Sequence, residues 1–247
     1  MQKKLAMIIC TMLMSLLVAT AVAAAPMEMS ANEIEYNSTT EQIQATGKVV
    51  LKRESGTAKA DSAQYNVKNQ TGRLQGNVSL QQEQSTLVCD ALDILSQNHF
   101  VATGSLARVS KGGDSLSAPQ ISYYDDRQFA ETNGGNALLN KDDGSTLTAN
   151  YISYDMRKGE AVALENVQIN APARDLEGAG DKAVYLEDKT QANNSSITLS
   201  GNAWAIQNGN KIVGNRLVFK TGKSQGEASG KVVITIPPET QKTSVKK

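Results

Sequence analysis

Few residues in this chain are of a type that does chemistry, and none is spaced for it. His99 is the only histidine. It follows Gln97 and Asn98 in a turn-forming context, and no Cys/His cluster surrounds it, so a zinc site is not expected. One histidine in a turn offers no triad either, and the many serines include no Gly-x-Ser-x-Gly elbow. His99 reads as a solvated turn residue. The acidic pairs Asp125-Asp126 and Asp142-Asp143-Gly144 have turn composition and lack the spacing of a calcium loop. No catalytic residue, metal ligand or cofactor is therefore expected, and the chain does not read as an enzyme.

What does recur is a polar head residue followed four places later by an apolar or aromatic one. Asn32–Tyr36, Asp61–Tyr65, Asp90–Ile94, Asn150–Tyr154, Asp181–Tyr185 and Asn215–Phe219 keep this offset, and Pro119–Tyr123 keeps it without the polar head. The period is about thirty residues. A second landmark lies about fifteen residues beyond each head: Gly47-Lys-Val49, Gly76-Asn-Val78, Gly134-Gly-Asn136, Glu165-Asn-Val167 and Gly230-Lys-Val232. The third repeat reaches it one residue early, at Gly104, and the sixth five residues late, at Gly201-Asn-Ala203. Because the head drifts from Asp to Asn to Pro, it reads as a backbone-bonding corner and not as a catalytic or metal-binding carboxylate. Self-similarity at this period means one small unit stacked on itself, each copy unable to bury its own apolar face.

Each unit alternates apolar and polar residues with period two, the strand signature. In the second, Ala63 and Tyr65 face opposite to Ser62, Gln64 and Asn66; the turn Lys68–Gly72 follows, and Leu74, Val78 and Leu80 lead back. Small residues precede each head (Ala31, Ala60, Cys89, Ala118, Ala149, Gly180, Gly214), with an apolar residue two places before these at Leu87, Leu116, Leu147 and Ile212. These have the wrong parity for an unbroken strand, so a bulge or corner is expected at the head position. With no helical stripe to cover it, the sheet must fold over on itself or coil. The expectation is an all-β, repeat-built open antiparallel β-jelly roll of seven repeats and about 14–16 strands, spanning residues 25–236.

The ends differ. Lys3 and Lys4 precede an apolar run from Leu5 to about Val22, and small residues at Ala21, Ala23, Ala24 and Ala25 complete the pattern of an export signal over residues 1–24. Cys10 falls too early in that run for a lipoprotein cysteine, and an uncleaved anchor is the other reading. Removing the signal leaves Cys89 alone, so stability in an oxidising compartment must come from burial and hydrogen bonds. Residues 237–247, after Pro237-Pro238, form a frayed basic tail. Lys plus Arg equals Asp plus Glu at 25 each, which gives no reason to expect nucleic acid as a ligand. The sequons at Asn37 and Asn77 are common by chance. Trp204 reads as ordinary core, with a lumen or edge-plug role as the alternative.

The phrases Ala31-Asn-Glu-Ile-Glu-Tyr-Asn37 … Ile43-Gln-Ala-Thr-Gly-Lys-Val-Val-Leu51 and Ala60-Asp-Ser-Ala-Gln-Tyr-Asn66 … Gly72-Arg-Leu-Gln-Gly-Asn-Val-Ser-Leu80 resemble the repeating unit of the OstA-like/LptA family of periplasmic lipopolysaccharide-transport proteins. The resemblance runs over essentially the whole chain behind the signal, and it departs from the pattern at Pro119 and in the lengthened sixth repeat. It implies an open twisted jelly roll whose apolar lumen holds lipopolysaccharide acyl chains. It also implies a periplasmic location, outer-membrane biogenesis as the setting, end-to-end homo-oligomers joined through the strands Ala31–Asn37 and Lys231–Ile236, and inner- and outer-membrane partners of the same fold. An inner-membrane-anchored adaptor of that fold, and a structural β-repeat envelope scaffold with a solid core, are the alternatives. The residues expected to face inward and touch lipid are Ile34, Tyr36, Val49, Leu51, Tyr65, Val78, Leu80, Leu92, Ile94, Leu106, Ile121, Tyr123, Ile152, Tyr154, Val167, Ile169, Tyr185, Leu217, Phe219, Val232 and Ile234.

Overall fold

The computed structural model describes residues 28–53, 56–82, 85–96, 98–155, 157–188, 195–220 and 226–237. The expected export signal and the basic tail, apart from Pro237, lie outside the described residues. Among the described residues there are eighteen strand segments and one 3-10 turn (Pro172–Arg174). The segments are β1 (Glu28–Ser30), β2 (Glu33–Asn37), β3 (Gln42–Arg53), β4 (Gly56–Asn66), β5 (Thr71–Gln82), β6 (Ser85–Ser96), β7 (His99–Lys111), β8 (Asp114–Tyr124) and β9 (Phe129–Asn133). They continue as β10 (Ala137–Asn140), β11 (Thr146–Ala149), β12 (Tyr151–Asp155), β13 (Glu160–Ala171), β14 (Leu176–Leu186), β15 (Ser196–Gln207), β16 (Asn210–Lys220), β17 (Gly226–Ser229) and β18 (Val233–Thr235). All pairings are antiparallel, in one continuous sheet. The fold is all-β, as the alternation requires.

The seven repeats account for the strand count. Two strands per repeat give fourteen, and four of these are interrupted at a landmark: between β1 and β2 at Asn32, β9 and β10 at Gly134, β11 and β12 at Asn150, and β17 and β18 at Gly230. The other ten run through but change register at the same place. Each strand is thereby divided in two. One half pairs within a first layer that includes β2, Gln42–Thr46, Ser62–Asn66, β9 and β12; the other pairs within a second layer that includes β1, Val49–Arg53, β10 and β11. The buried apolar residues of both layers form one cluster.

The corner is built from the two landmarks, which oppose each other across the strand pair. In the first repeats Thr46 pairs with Ser62 and Val49 with Ala60, so Gly47 and Lys48 together face Asp61 alone. Such a bulge needs left-handed backbone, and Gly76 and Asn77 have φ of 77° and 47°. Lys48, Asn136, Glu165, Asn166, Asn202 and Lys231 repeat the positive φ at the equivalent places, the region glycine and asparagine enter most readily. The head side chain then ties the bulge down. Asn77 Nδ2 donates to Asp61 Oδ2 at 2.8 Å, Asn202 Nδ2 to Asp181 Oδ2 at 2.9 Å, Ser105 N to Asp90 Oδ2 at 2.8 Å and Asn150 Nδ2 to Glu165 Oε2 at 3.1 Å. The corner is therefore where the parity predicts it, but the extra residue belongs to the strand facing the head. Residues before and after the corner, such as Leu87 and Leu92, are both buried despite opposite parity.

Gly76 shows why the landmark is glycine: its φ is positive, and an added Cβ would overlap the Asp61 carboxylate. Gly112 also has positive φ (56°), yet nothing lies within 4 Å of its Cβ position. Gly112→Ala is expected to cost about 1–2 kcal/mol through backbone strain alone. Gly76→Ala should cost on the order of 1 kcal/mol more, through displacement of the cap. Urea midpoints of the two variants check this ordering.

Candidate functional site

With chemistry confined to corners and turns, the candidate site is the space between the two layers. The residues four places after each head fall into one ladder across the first layer: Tyr36 pairs with Ile43, Ile43 with Tyr65, Tyr65 with Gly72 and Gly72 with Ile94. It continues through Phe100, Tyr123, Ala130, Tyr154, Ala161, Tyr185 and Ile197 to Phe219 and Gly226. Cross-strand partners share a face, so the large residue of one strand repeatedly stands beside a small one on the next.

Of the predicted inward residues, Val49, Leu51, Val78, Leu80, Leu92, Ile94, Ile121, Tyr123, Ile152, Tyr154, Val167, Leu217 and Phe219 are buried, and Tyr65, Ile169 and Tyr185 are half-buried. Ile34 and Tyr36 are exposed although they pair with Ala45 and Ile43 on the inward face. They lie on β2, whose register among the described residues is with β3 alone, so the roll opens there. Ile234 is exposed on β18 at the other end, where among the described residues β16 is its one paired neighbour, and Val232 is exposed just before that strand. Leu106 does not face inward. Gly104, Ser105 and Leu106 all stand opposite Pro119 between the pairs Thr103–Gln120 and Ala107–Ala118, so Leu106 is thrown outward and Ala107 takes the inward place. Its neighbours, Ala107 and Val109 alternating with Arg108, carried the signal for that extra step.

Other expectations need correction. His99 is the first residue of β7, not a solvated turn residue: it is half-buried, stacked on Tyr124 with centroids 4.2 Å apart, and its Nε2 is enclosed without a partner among the described residues. Trp204 is not core. It pairs with Val213 on the outer face, half-buried, with Lys211 Nζ 5.4 Å from its ring centre. Among the described residues, no group of three or more His, Cys, Asp or Glu could hold a metal ion.

The interior is not uniform. In the middle, Val78, Leu80, Leu92, Phe100, Ile121 and Tyr123 are each at most 2% exposed, and the layers pack solidly. Towards the C-terminal repeats a cavity of about 280 Å³ opens between them. Ala161, Ala163, Ala183, Tyr185 and Ile197 wall it from the first layer and Leu139, Leu147, Ile169 and Ala171 from the second. A second groove of about 310 Å³ lies at the N-terminal end around Ile43, Tyr65, Gly72 and Ile94, with Gln42, Gln64 and Arg73 beside it.

The charged part of the C-terminal cavity's rim is the turn between β10 and β11 together with Arg174. Asp114, 1% exposed, accepts from Lys141 Nζ and from the backbone N–H of Asp142 at 2.8 Å. Asp143 accepts from Ser145 N at 2.8 Å, so the acidic pair does serve the turn. Asp114 thus positions the lip of the cavity.

Residues 57–160 match the family model described as LptA/(LptD N-terminal domain) LPS transport protein. That description is of a transport protein and not of an enzyme. Among solved structures, the chain is similar to LptH, the LptA-homologous periplasmic component of the lipopolysaccharide transport device of Pseudomonas aeruginosa. Identity is 12%, coverage 87% of this chain and 96% of that one, and the TM-score 0.17. No curated protein matches.

Two predictions follow from the packing. Asp114→Ala strands the Lys141 ammonium, whose side chain is 24% exposed, and should lower stability by about 1.5–3 kcal/mol, read from urea unfolding. Burial, with Asp90 and Asp93 adding to it, pushes the Cys89 thiol up to about 12. At pH 8 it should therefore resist alkylation in the folded protein and react once urea unfolds the chain, measured by mass spectrometry.

Proposed function

We propose that this chain is an exported, periplasmic lipopolysaccharide-binding transport protein that holds acyl chains between its two layers and helps bridge the inner and outer membranes. The observation that carries the reading is an apolar interior that runs the length of the repeats, open at the N-terminal end and unfilled near the C-terminal one. The family match over residues 57–160 supports the class of cargo. Each methylene moved from water into such a space contributes roughly 0.8 kcal/mol. Multi-chain lipids would therefore be held too tightly for free release, and passage from one interior to the next relieves this. The ends suit that role: among the described residues the register pairs β1 and β2 with β3 alone and β17 and β18 with β16 alone, so backbone edges are available for a second copy or a partner of the same fold. In this reading residues 1–24 are a cleaved export signal, 25–236 the carrier and 237–247 a tail.

The solidly packed middle favours a second reading, a structural envelope scaffold. The two separate on Tyr65→Asp, a charge on the inward face at the open end, compared with Gln75→Asp, exposed and outside the groove. The transport reading expects purified Tyr65→Asp to lose at least tenfold in lipopolysaccharide capture with its far-UV strand signal intact, and Gln75→Asp to capture normally. Equal capture by both variants, or none by the native chain, supports the scaffold.

A further inference from the structure

We infer that the outer face of the first layer carries a shelf for an acidic saccharide, a sugar bearing a carboxylate. The inference is independent of the interior-binding reading, since it concerns the opposite face of the sheet. Apart from Trp204, every aromatic residue outside the inward ladder stands at this one place: Tyr124 on β8, Phe129 on β9 and Tyr151 on β12. The only histidine, His99 on β7, joins them. One residue away along these strands, Phe100, Tyr123 and Ala130 are buried in the interior, so alternation puts the shelf outside.

The shelf is built before any ligand arrives. Tyr124 Oη donates to Glu131 Oε1 at 3.1 Å and Tyr151 Oη to Glu131 Oε2 at 2.8 Å, so one carboxylate fixes two rings. His99 stacks on Tyr124, and the Arg127 guanidinium lies 3.9 Å from the centre of the same ring and 5.7 Å from that of Phe129. Arg127 is exposed and makes no salt bridge among the described residues. A guanidinium held flat and unpaired presents its planar N–H fork to a carboxylate. Glu131 has used two of its roughly four acceptor sites, which leaves it open to sugar hydroxyls. The negative ring faces of Phe129 and Tyr151, both half-buried, attract the polarised C–H groups of a sugar. Packing alone does not account for the cluster, because it encloses His99 Nε2 with no partner among the described residues, a cost that a purely structural contact has no reason to carry. A peptide fits less well. β8, β9 and β12 are each paired on both sides, so no strand edge is free there for main-chain recognition, and contact must run through side chains.

The test is calorimetric titration of the folded chain with two sugar acids that lack acyl chains, each beside its methyl ester. One is the N-acetylglucosaminyl-N-acetylmuramic acid disaccharide of wall glycan, the other the octulosonate disaccharide of lipopolysaccharide. One molecule per chain is expected for at least one acid, with its ester bound roughly fivefold more weakly. The tighter acid names the source. Arg127→Lys keeps the charge but loses the fork and should weaken binding about fivefold, and Arg127→Ala about tenfold. Both variants should keep the far-UV strand signal, since Arg127 is exposed, and Gln75→Ala, exposed on β5, should bind as the native chain does. Failure of both acids to bind, an ester as tight as its acid, native affinity in the Arg127 variants, or an equal loss in Gln75→Ala would each overturn the shelf. Lipopolysaccharide capture is scored separately. Capture without binding of either acid removes the shelf alone, and binding of an acid without capture removes the interior reading alone.

Discussion

The fold depends on one contact repeated along the chain: a short polar head side chain set against a bulge of left-handed residues on the next strand. A long antiparallel sheet with one apolar face has no use for that face unless it doubles back on itself. The bulge supplies the bend, because an extra residue on one strand turns the strand direction and resets which side chains point inward. Left-handed backbone is costly for most residues, and the hydrogen bonds from Asn77 to Asp61 and from Asn202 to Asp181 offset part of that cost. Placed at the same height on every strand, the corners crease the sheet along a line and bring its two halves face to face.

Variation among the corners explains local differences. At Pro119 the side-chain cap is gone, and the facing segment Gly134-Gly135-Asn136 has three successive positive φ values. There the facing strand divides into β9 and β10, and the next divides into β11 and β12 at Asn150. The β10–β11 turn, whose strands are separated from β9 and β12, is held by the Asp114–Lys141 pair. The cavity lies against this part of the roll, so the least regular corner and the least filled interior adjoin.

Much of this was legible in the sequence because the pattern is local. Alternation gives strands, and the thirty-residue period gives fourteen of them. The parity conflict between Leu87 and Leu92 gives the corner. The Asp/Asn and Gly-x landmarks were visible separately, but their apposition needs strand register, which a single sequence does not carry. The same holds for Leu106: counted from Gly104 it has the parity of Val49, and only the pairing of Thr103 and Ala107 with β8 reveals a longer bulge. Ile34, Tyr36 and Ile234 have inward parity but no second paired neighbour among the described residues, and position in the sheet order is not a local property. Outer-face packing of His99 against Tyr124 and of Trp204 against Lys211 leaves no periodic trace in the sequence. The cavity was foreshadowed only by the frequency of inward alanines, with nothing to say which of them face each other.

The central claim is that acyl chains occupy the space between the layers in the working protein. A photoreactive residue at Tyr185, on the cavity wall, tested against one at Val184 on the opposite face of the same strand, addresses it directly in cells with intact envelopes. Crosslinks from position 185 that carry lipopolysaccharide, with none from 184, are the predicted result. Equal labelling from both positions, or labelling from 184 alone, would contradict the account, because the lipid would then lie outside the roll.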